Sequence, residues 1–363
     1  MAKKPVTDPH KAWNIAHYRR VNGYSKQIEK LYNDYLKAVA ELAMQNGVTV
    51  DDDTIFRLSD YPRLKRQVDQ LTKQLSSDIA KVIQGADKSE WTQAQAQAVQ
   101  YIEDLYKVVS LPDNMKAMFG ISAAAAKARN MDAYRAFSSR KIGGIALSQK
   151  VWNYTKDFQA QMEAAIDIAL LEGKSAARLS QDIRSLLQDP DLLFRRVRNS
   201  NGNLRPSRAM KAFAAGRGKY KSAYRNAMRL ARTEINMAYR SSDCDMAQNL
   251  MAVVGIGINL SNNHTCNGKP FVDMCDELQG RYPKDFKFTG WHPQCRCFIT
   301  FITKTDEEFW RDLADGIDRP SVNTVKDVPP GFRDWMMNNR ERLNKRASLP
   351  YFVTDNHKYA MVA

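Results

Sequence analysis

Between Ser25 and Gly47 the apolar residues Ile28, Leu31, Tyr32, Tyr35, Val39, Leu42 and Ala43 recur at steps of three and four. That is the period of a helix with one buried face, and Asn46-Gly47 reads as its stop. Looser versions of the pattern run through "YPRLKRQVDQLTKQLSSDIAKVIQG" and "SEWTQAQAQAVQYIEDLYKVVS", with a break expected at Gly85-Ala86-Asp87. The first third therefore predicts a helical bundle. Gly143-Gly144 is the expected domain joint, after which Val151, Tyr154, Phe158, Met162, Ala165 and Ala169 form another stripe ending at Gly173. Ser175 is placed to cap a short helix that buries Leu179, Ile183 and Leu186 and ends before Pro190. In "YRNAMRLARTEINMAYRSSD", Tyr224, Ala227, Ala231, Ile235 and Ala238 share one face of a long helix.

The period then changes. "VVGIGINLS" and "RCFITFIT" alternate in steps of two, as strands do. Between them lie about thirty-five residues rich in turn-forming types, and a connection of that length in a folded domain is usually functional or tied down. Thr305-x-x-Glu308 reads as a capping box that opens a helix carrying Phe309, Trp310 and Leu313, and "GFRDWMMNNRERL" predicts a last long helix. The expected fold class is α+β and predominantly helical: an N-terminal helical region over 1–142, a mixed domain with a small antiparallel sheet over 143–304, and a helical tail over 305–363.

Composition adds three things. The 363 residues suffice for two or three cores, and 26% charged residues is ordinary for a folded protein. No apolar run approaches the roughly 20 residues of a membrane span, and the basic start lacks the apolar stretch of a secretory signal, so folding in a reducing compartment is expected. The net charge of +15 favours a polyanionic partner.

That charge is concentrated. From Arg195 to Arg232 there are twelve Lys or Arg and no Asp or Glu. Arg195, Arg196, Arg198, Arg217, Lys219, Lys221 and Arg225 are candidate contacts to DNA phosphates, with Phe213, Tyr220 and Tyr224 interleaved as a stacking surface would need. The alternative is a solvated loop or a contact to an acidic protein. Glu234 shares a face with Ala227, Ala231 and Ala238. If buried it needs a partner, expected from the basic run or from backbone N–H groups of the cysteine segment; otherwise it reaches solvent.

Four of the five cysteines fall between Cys266 and Cys297. With no oxidising compartment indicated, such clustering points to a metal or a reactive thiol before disulfides. The candidate ligands are Cys266, Cys275, His292, Cys295 and Cys297, with His264 behind them. His292-x-x-Cys295 has the spacing of zinc ligand pairs, whereas Cys295-x-Cys297 is tighter and Cys266 to Cys275 wider than usual. A structural zinc staple and a set of reduced, buried cysteines stay open, and a Cys–His nucleophile is the weakest reading because such pairs usually meet in space.

Taken in order, Gly173-Lys174-Ser175, "RLARTEINMAYR" and "HPQCRC" resemble the phage Mu F-like head morphogenesis proteins, the minor head proteins of tailed phages. The resemblance covers about Ala165 to Thr303 and rests on motifs, and the tail "GFRDWMMNNRERLNKRASLPYFVTDN" also looks like that of minor head proteins. It implies a virion protein, assembled in the host cytoplasm and held inside the capsid. The implied partners are the portal protein, the major capsid or scaffold protein, and double-stranded DNA. The family motif falls on Arg232, Thr233 and Glu234, and on Cys266, Cys275, His292, Cys295 and Cys297. Family members carry the first two cysteines as a close pair, but eight residues separate Cys266 from Cys275 here. The alternative class is an enzyme, either a nuclease using the His/Cys segment or an ADP-ribosyltransferase-like toxin using Glu234. For the nuclease, the carboxylates that would flank an open metal position are not evident.

Overall fold

The apolar stripes form helices in a computed structural model of the chain. It describes residues 8–48, 56–118, 120, 122–170, 176–189, 196–198, 202, 204–206, 218–261, 264–266, 269–346 and 348–360. The protein is mostly helical, at 67%, with a small three-stranded antiparallel sheet in its C-terminal part. Helix α1 spans His10–Gln45, starting well before the stripe that announced it, and Gly47 beyond its end has a left-handed φ of +63°. Helix α2 spans Pro62–Tyr106 without interruption, so the break expected at Gly85-Ala86-Asp87 is absent. A mid-helix glycine costs only about 1 kcal/mol, and the buried side chains of Ala86, Asp87, Glu90 and Trp91 on the same turns outweigh it.

Further along come α3 (Asp113–Met118), α4 (Ala123–Ser139), α5 (Leu147–Leu170) and α6 (Ala176–Gln188). The hairpin of β1 (Arg196–Arg198) and β2 (Leu204–Pro206) precedes α7 (Ala223–Asn249). Ser175 and Gly173, and the side chains of Ala169, Leu179 and Leu186, lie outside the described residues.

By contacts the chain divides into two compact units, one of Met1–Asn22, Gly85–Gly143 and Thr233–Ala363, the other of Gly23–Gln84 and Gly144–Arg232. One boundary falls between Gly143 and Gly144, both at positive φ. Helices α1, α2 and α7 each contribute to both units. In the second unit Ile28, Tyr32, Val39, Leu64, Ile79, Phe158, Met162 and Ile183 share one core. There Gln161 accepts from Ala223 N–H at 2.9 Å and donates to Lys221 O at 2.7 Å, fixing the start of α7.

The first unit holds the sheet. Strand β3 (Val253–Asn259) lies between β6 (Gly280–Tyr282) and β7 (Phe298–Thr303), antiparallel to both, with Ile256 opposite Tyr282 on one side and Phe301 on the other. The stretch "VVGIGINLS" forms the expected strand, and Val253 to Ile258 are all buried. Val325 packs so closely over Gly255 that a side chain there would collide with it. The long connection is not structureless: a hairpin of β4 (Thr265–Cys266) and β5 (Lys269–Pro270) leads into α8 (Met274–Leu278), then β6. After β7, Thr305 and Glu308 form the expected capping box at α9 (Asp306–Asp315), with Phe309 and Leu313 buried but Trp310 exposed. Helix α10 (Pro330–Asn344) and the short α11 (Tyr351–Thr354) and α12 (His357–Ala360) complete the unit. Among the described residues no helix is long and apolar enough to cross a membrane.

Candidate metal centre

Two short elements present the ligands. Asp273 caps α8, accepting from Cys275 N–H at 2.7 Å while Asp276 accepts from Asp273 N–H at 2.8 Å, and this turns Cys275 inward. The second element is the turn Trp291–Cys297, where Gln294 takes a φ of +62° and Cys295 N–H bonds to His292 O. Gly290, at φ +124°, leads into it; a Cβ there would press on Arg240 and Cys295.

The side chains converge. Cys275 Sγ lies 3.2 Å from His292 Nε2 and 3.9 Å from Cys295 Sγ, and the buried Cys297 lies near enough to feel the charge of Cys295. Around a tetrahedral zinc, with bonds of about 2.3 Å to sulfur and 2.0 Å to nitrogen, sulfur pairs would sit about 3.8 Å apart and sulfur–nitrogen pairs about 3.5 Å. The observed separations fit a shared ion and are far too long for a disulfide, which needs about 2.05 Å. His292 Nδ1 bonds to Pro293 O at 2.9 Å, which directs Nε2 toward the sulfurs, the arrangement usual for a metal-binding imidazole. The buried Cys275, His292, Cys295 and Cys297 group could hold a metal ion. Cys266 pairs through its backbone with Lys269, and its side chain lies outside the described residues. Cys244 stands apart, its sulfur accepting from Phe288 N–H at 3.2 Å and its pKa pushed up to about 12 by burial.

Charge is shared unevenly among the thiols. Burial opposes charge on Cys295, but the thiols of Cys275 and Cys297, with Arg240 and His292, hold it well below the usual thiol range. Cys295 in turn pushes Cys275 up, so the thiol nearest His292 is the opposite of an activated one. The spacing of His292 and Cys295 suggested a ligand pair; the structure brings the two together with Cys275, whose sulfur lies 3.2 Å from the imidazole.

Helix α7 grips the turn from behind. Thr233 Oγ1 accepts from Gln294 N–H at 3.1 Å, Asn236 donates to Cys295 O at 3.4 Å, and Arg240 donates to Cys295 O at 2.5 Å and to Thr289 O at 3.2 Å. Residues three and seven positions beyond Thr233 share its helical face. Tyr18 O–H adds a third bond to Cys295 O at 3.2 Å and accepts one from Arg240 at 2.9 Å. Arg240 is 3% exposed and among the described residues has no carboxylate within ion-pair distance. Burial works against its charge, yet Tyr18, Cys295 and Cys297 hold its pKa above the ordinary value.

Among known proteins, no family model, no curated relative and no solved structure matches this chain. The other candidate residues are therefore placed by geometry alone. Glu234 is 3% exposed and pairs with Arg140 at 2.5 Å. It is buried and partnered, but by α4's C-terminal neighbour rather than by the basic run or the cysteine segment. Arg140 could not be singled out because it lies 94 positions away in sequence. Arg232 donates to Ser25 at 3.0 Å. Of the proposed phosphate contacts, Lys219, Lys221 and Arg225 are exposed, while Arg195 and Arg217 and the side chains of Arg196 and Arg198 lie outside the described residues, as does Phe213. Tyr224 packs edge-on against Tyr32 at 5.1 Å, so its ring serves the core rather than a stacking surface. Arg240, Asn236, Tyr18 and Asp273 were missed. The only signal was local: Asp273-x-x-Asp276 is itself a capping pattern.

Proposed function

We propose that this chain is a minor head protein of a tailed phage or prophage, assembled in the host cytoplasm and carried inside the capsid beside the portal. There it would assist head assembly and the packaging or ejection of DNA. The observation that carries the reading is the docking of the Cys-containing turn on α7. The two stretches that bear the resemblance, "RLARTEINMAYR" and "HPQCRC", are joined through Thr233, Asn236 and Arg240, so they form one structural unit.

Zinc is the ion this donor set suits best, because three sulfurs and one imidazole nitrogen are typical of closed structural zinc sites. Its role here would be to staple the long connection between β3 and β7. Three thiolates around a divalent ion leave one negative charge, which the buried Arg240 offsets. Burial and pairing of Glu234 weigh against its use as a catalytic carboxylate. The exposed Lys219, Lys221 and Arg225 and the net charge of +15 support contact with DNA or with an acidic portal surface.

Co-expression with the portal protein of a tailed phage tests the reading: the two should co-purify, and failure to do so at low salt would overturn it. Double-stranded DNA binding should weaken steeply with salt, and replacing Lys219, Lys221 and Arg225 by Gln should flatten that slope by up to about three charges' worth.

A further inference from the structure

A second group of metal-ligating side chains lies beside the first. His264 Nε2 is 3.0 Å from Asp276 Oδ2 and 3.7 Å from Asp273 Oδ1, and all three ligand atoms lie within 4.8 Å of one another. Two ligands on one ion with bonds of about 2.1 Å are separated by about 3.0 Å at a right angle and about 3.4 Å in a tetrahedron. The first distance matches a right-angled pair, and the second is slightly wider than a tetrahedral one. Asp273 faces both groups: its other oxygen, Oδ2, lies 3.5 Å from His292 Nε2.

We propose that His264, Asp273 and Asp276 form a second cation site beside the Cys275/His292/Cys295/Cys297 site, with the second oxygen of Asp273 turned toward His292. One nitrogen and carboxylate oxygens suit a borderline or hard divalent ion such as Mn2+ or Zn2+, whereas the sulfur-rich neighbour selects a softer one. Two carboxylates balance the charge of one such ion. The side chains of His264, Asp273 and Asp276 are 17%, 28% and 26% exposed, so water can complete the coordination. Stacking of the His264 ring on Phe271, with centroids 4.2 Å apart, holds the imidazole in place. The capping bonds of Asp273 and Asp276 remain compatible, because each carboxylate oxygen has a second lone pair.

The test uses the full-length protein, loaded with zinc and then dialysed against a chelator that strips weakly held zinc but leaves one zinc per chain, and titrated with Mn2+ while free Mn2+ is followed by electron paramagnetic resonance. Wild type should take up one Mn2+ per chain. Asp276→Asn, which keeps an oxygen for the Asp273 N–H, and His264→Phe, which keeps the ring on Phe271, should each weaken that binding by roughly tenfold or more. Circular dichroism confirms that the variants fold. Equal Mn2+ binding in wild type and both variants would overturn the site. Zinc content measured on the same samples reports separately on the cysteine group, and the manganese comparison decides the proposal either way.

Discussion

Arg140 is the residue on which the acidic interior of the first unit depends. Its guanidinium meets Glu234 at 2.5 Å and lies over the Phe137 ring at 3.5 Å. Asp87, 3% exposed, sits close enough for burial and the charge of Glu234 to push its carboxyl well above the usual range. One cation therefore serves two buried carboxyls. Arg140→Met should destabilise the protein by about 3 kcal/mol, because it leaves Glu234 charged in a dry setting. Glu234→Gln should cost clearly less, since the amide still accepts a hydrogen bond and removes the repulsion on Asp87. Urea midpoints give the ranking, and the reverse order would contradict this account. The sequence indicated that a buried Glu234 would need a partner, but nothing in the local pattern around Arg140 distinguishes it from any other exposed-looking arginine at a helix end.

Among the elements, α9 shows how a short motif can be read directly. Thr305 accepts from Glu308 N–H at 3.3 Å, and Glu308 accepts from Thr305 N–H at 3.1 Å. Ser321 donates to the same carboxylate at 2.6 Å and Val322 N–H at 2.9 Å, and together these bonds lower the Glu308 pKa to about 2. A carboxyl whose pKa is depressed on folding contributes stability above its unfolded pKa and loses it as pH falls through the folded value. The difference in melting temperature between wild type and Glu308→Gln should accordingly be constant above about pH 5 and shrink steadily toward pH 2. A difference that grew on acidification would refute the assignment. Capping boxes and 3.6-residue stripes are legible because both partners lie within a few positions. Gly85 misled for the converse reason: its effect on α2 was decided by what Ala86, Asp87 and Trp91 bury, and those partners are distant in sequence. His292, Cys295 and Cys297 could be grouped by closeness and Cys275 by residue type, but the place of Asp273 beside them could not, since it reads only as an N-cap until His264 and His292 are placed around it.

For the whole molecule, the centre joins a local ligand set to a remote support. Removing metal from purified protein with a strong chelator should lower its melting temperature by several degrees, reversibly on adding zinc, and Cys295→Ser with Cys297→Ser should reproduce the loss and abolish the response. A chelator without effect on a metal-containing sample would show that the ion stabilises nothing. The four ligands span only Cys275 to Cys297, whereas the carbonyl of Cys295 draws donors from Tyr18, 277 positions away, and from α7. Closing the short loop costs the unfolded chain less entropy than closing the long one. The ligand set could therefore close around an ion at a smaller entropic cost than the docking of the turn on Tyr18 and Arg240. An ion held by Cys275, His292, Cys295 and Cys297 would shape the turn before its distant partners are in place, whereas without one the turn would take its shape only from contacts that reach across most of the chain.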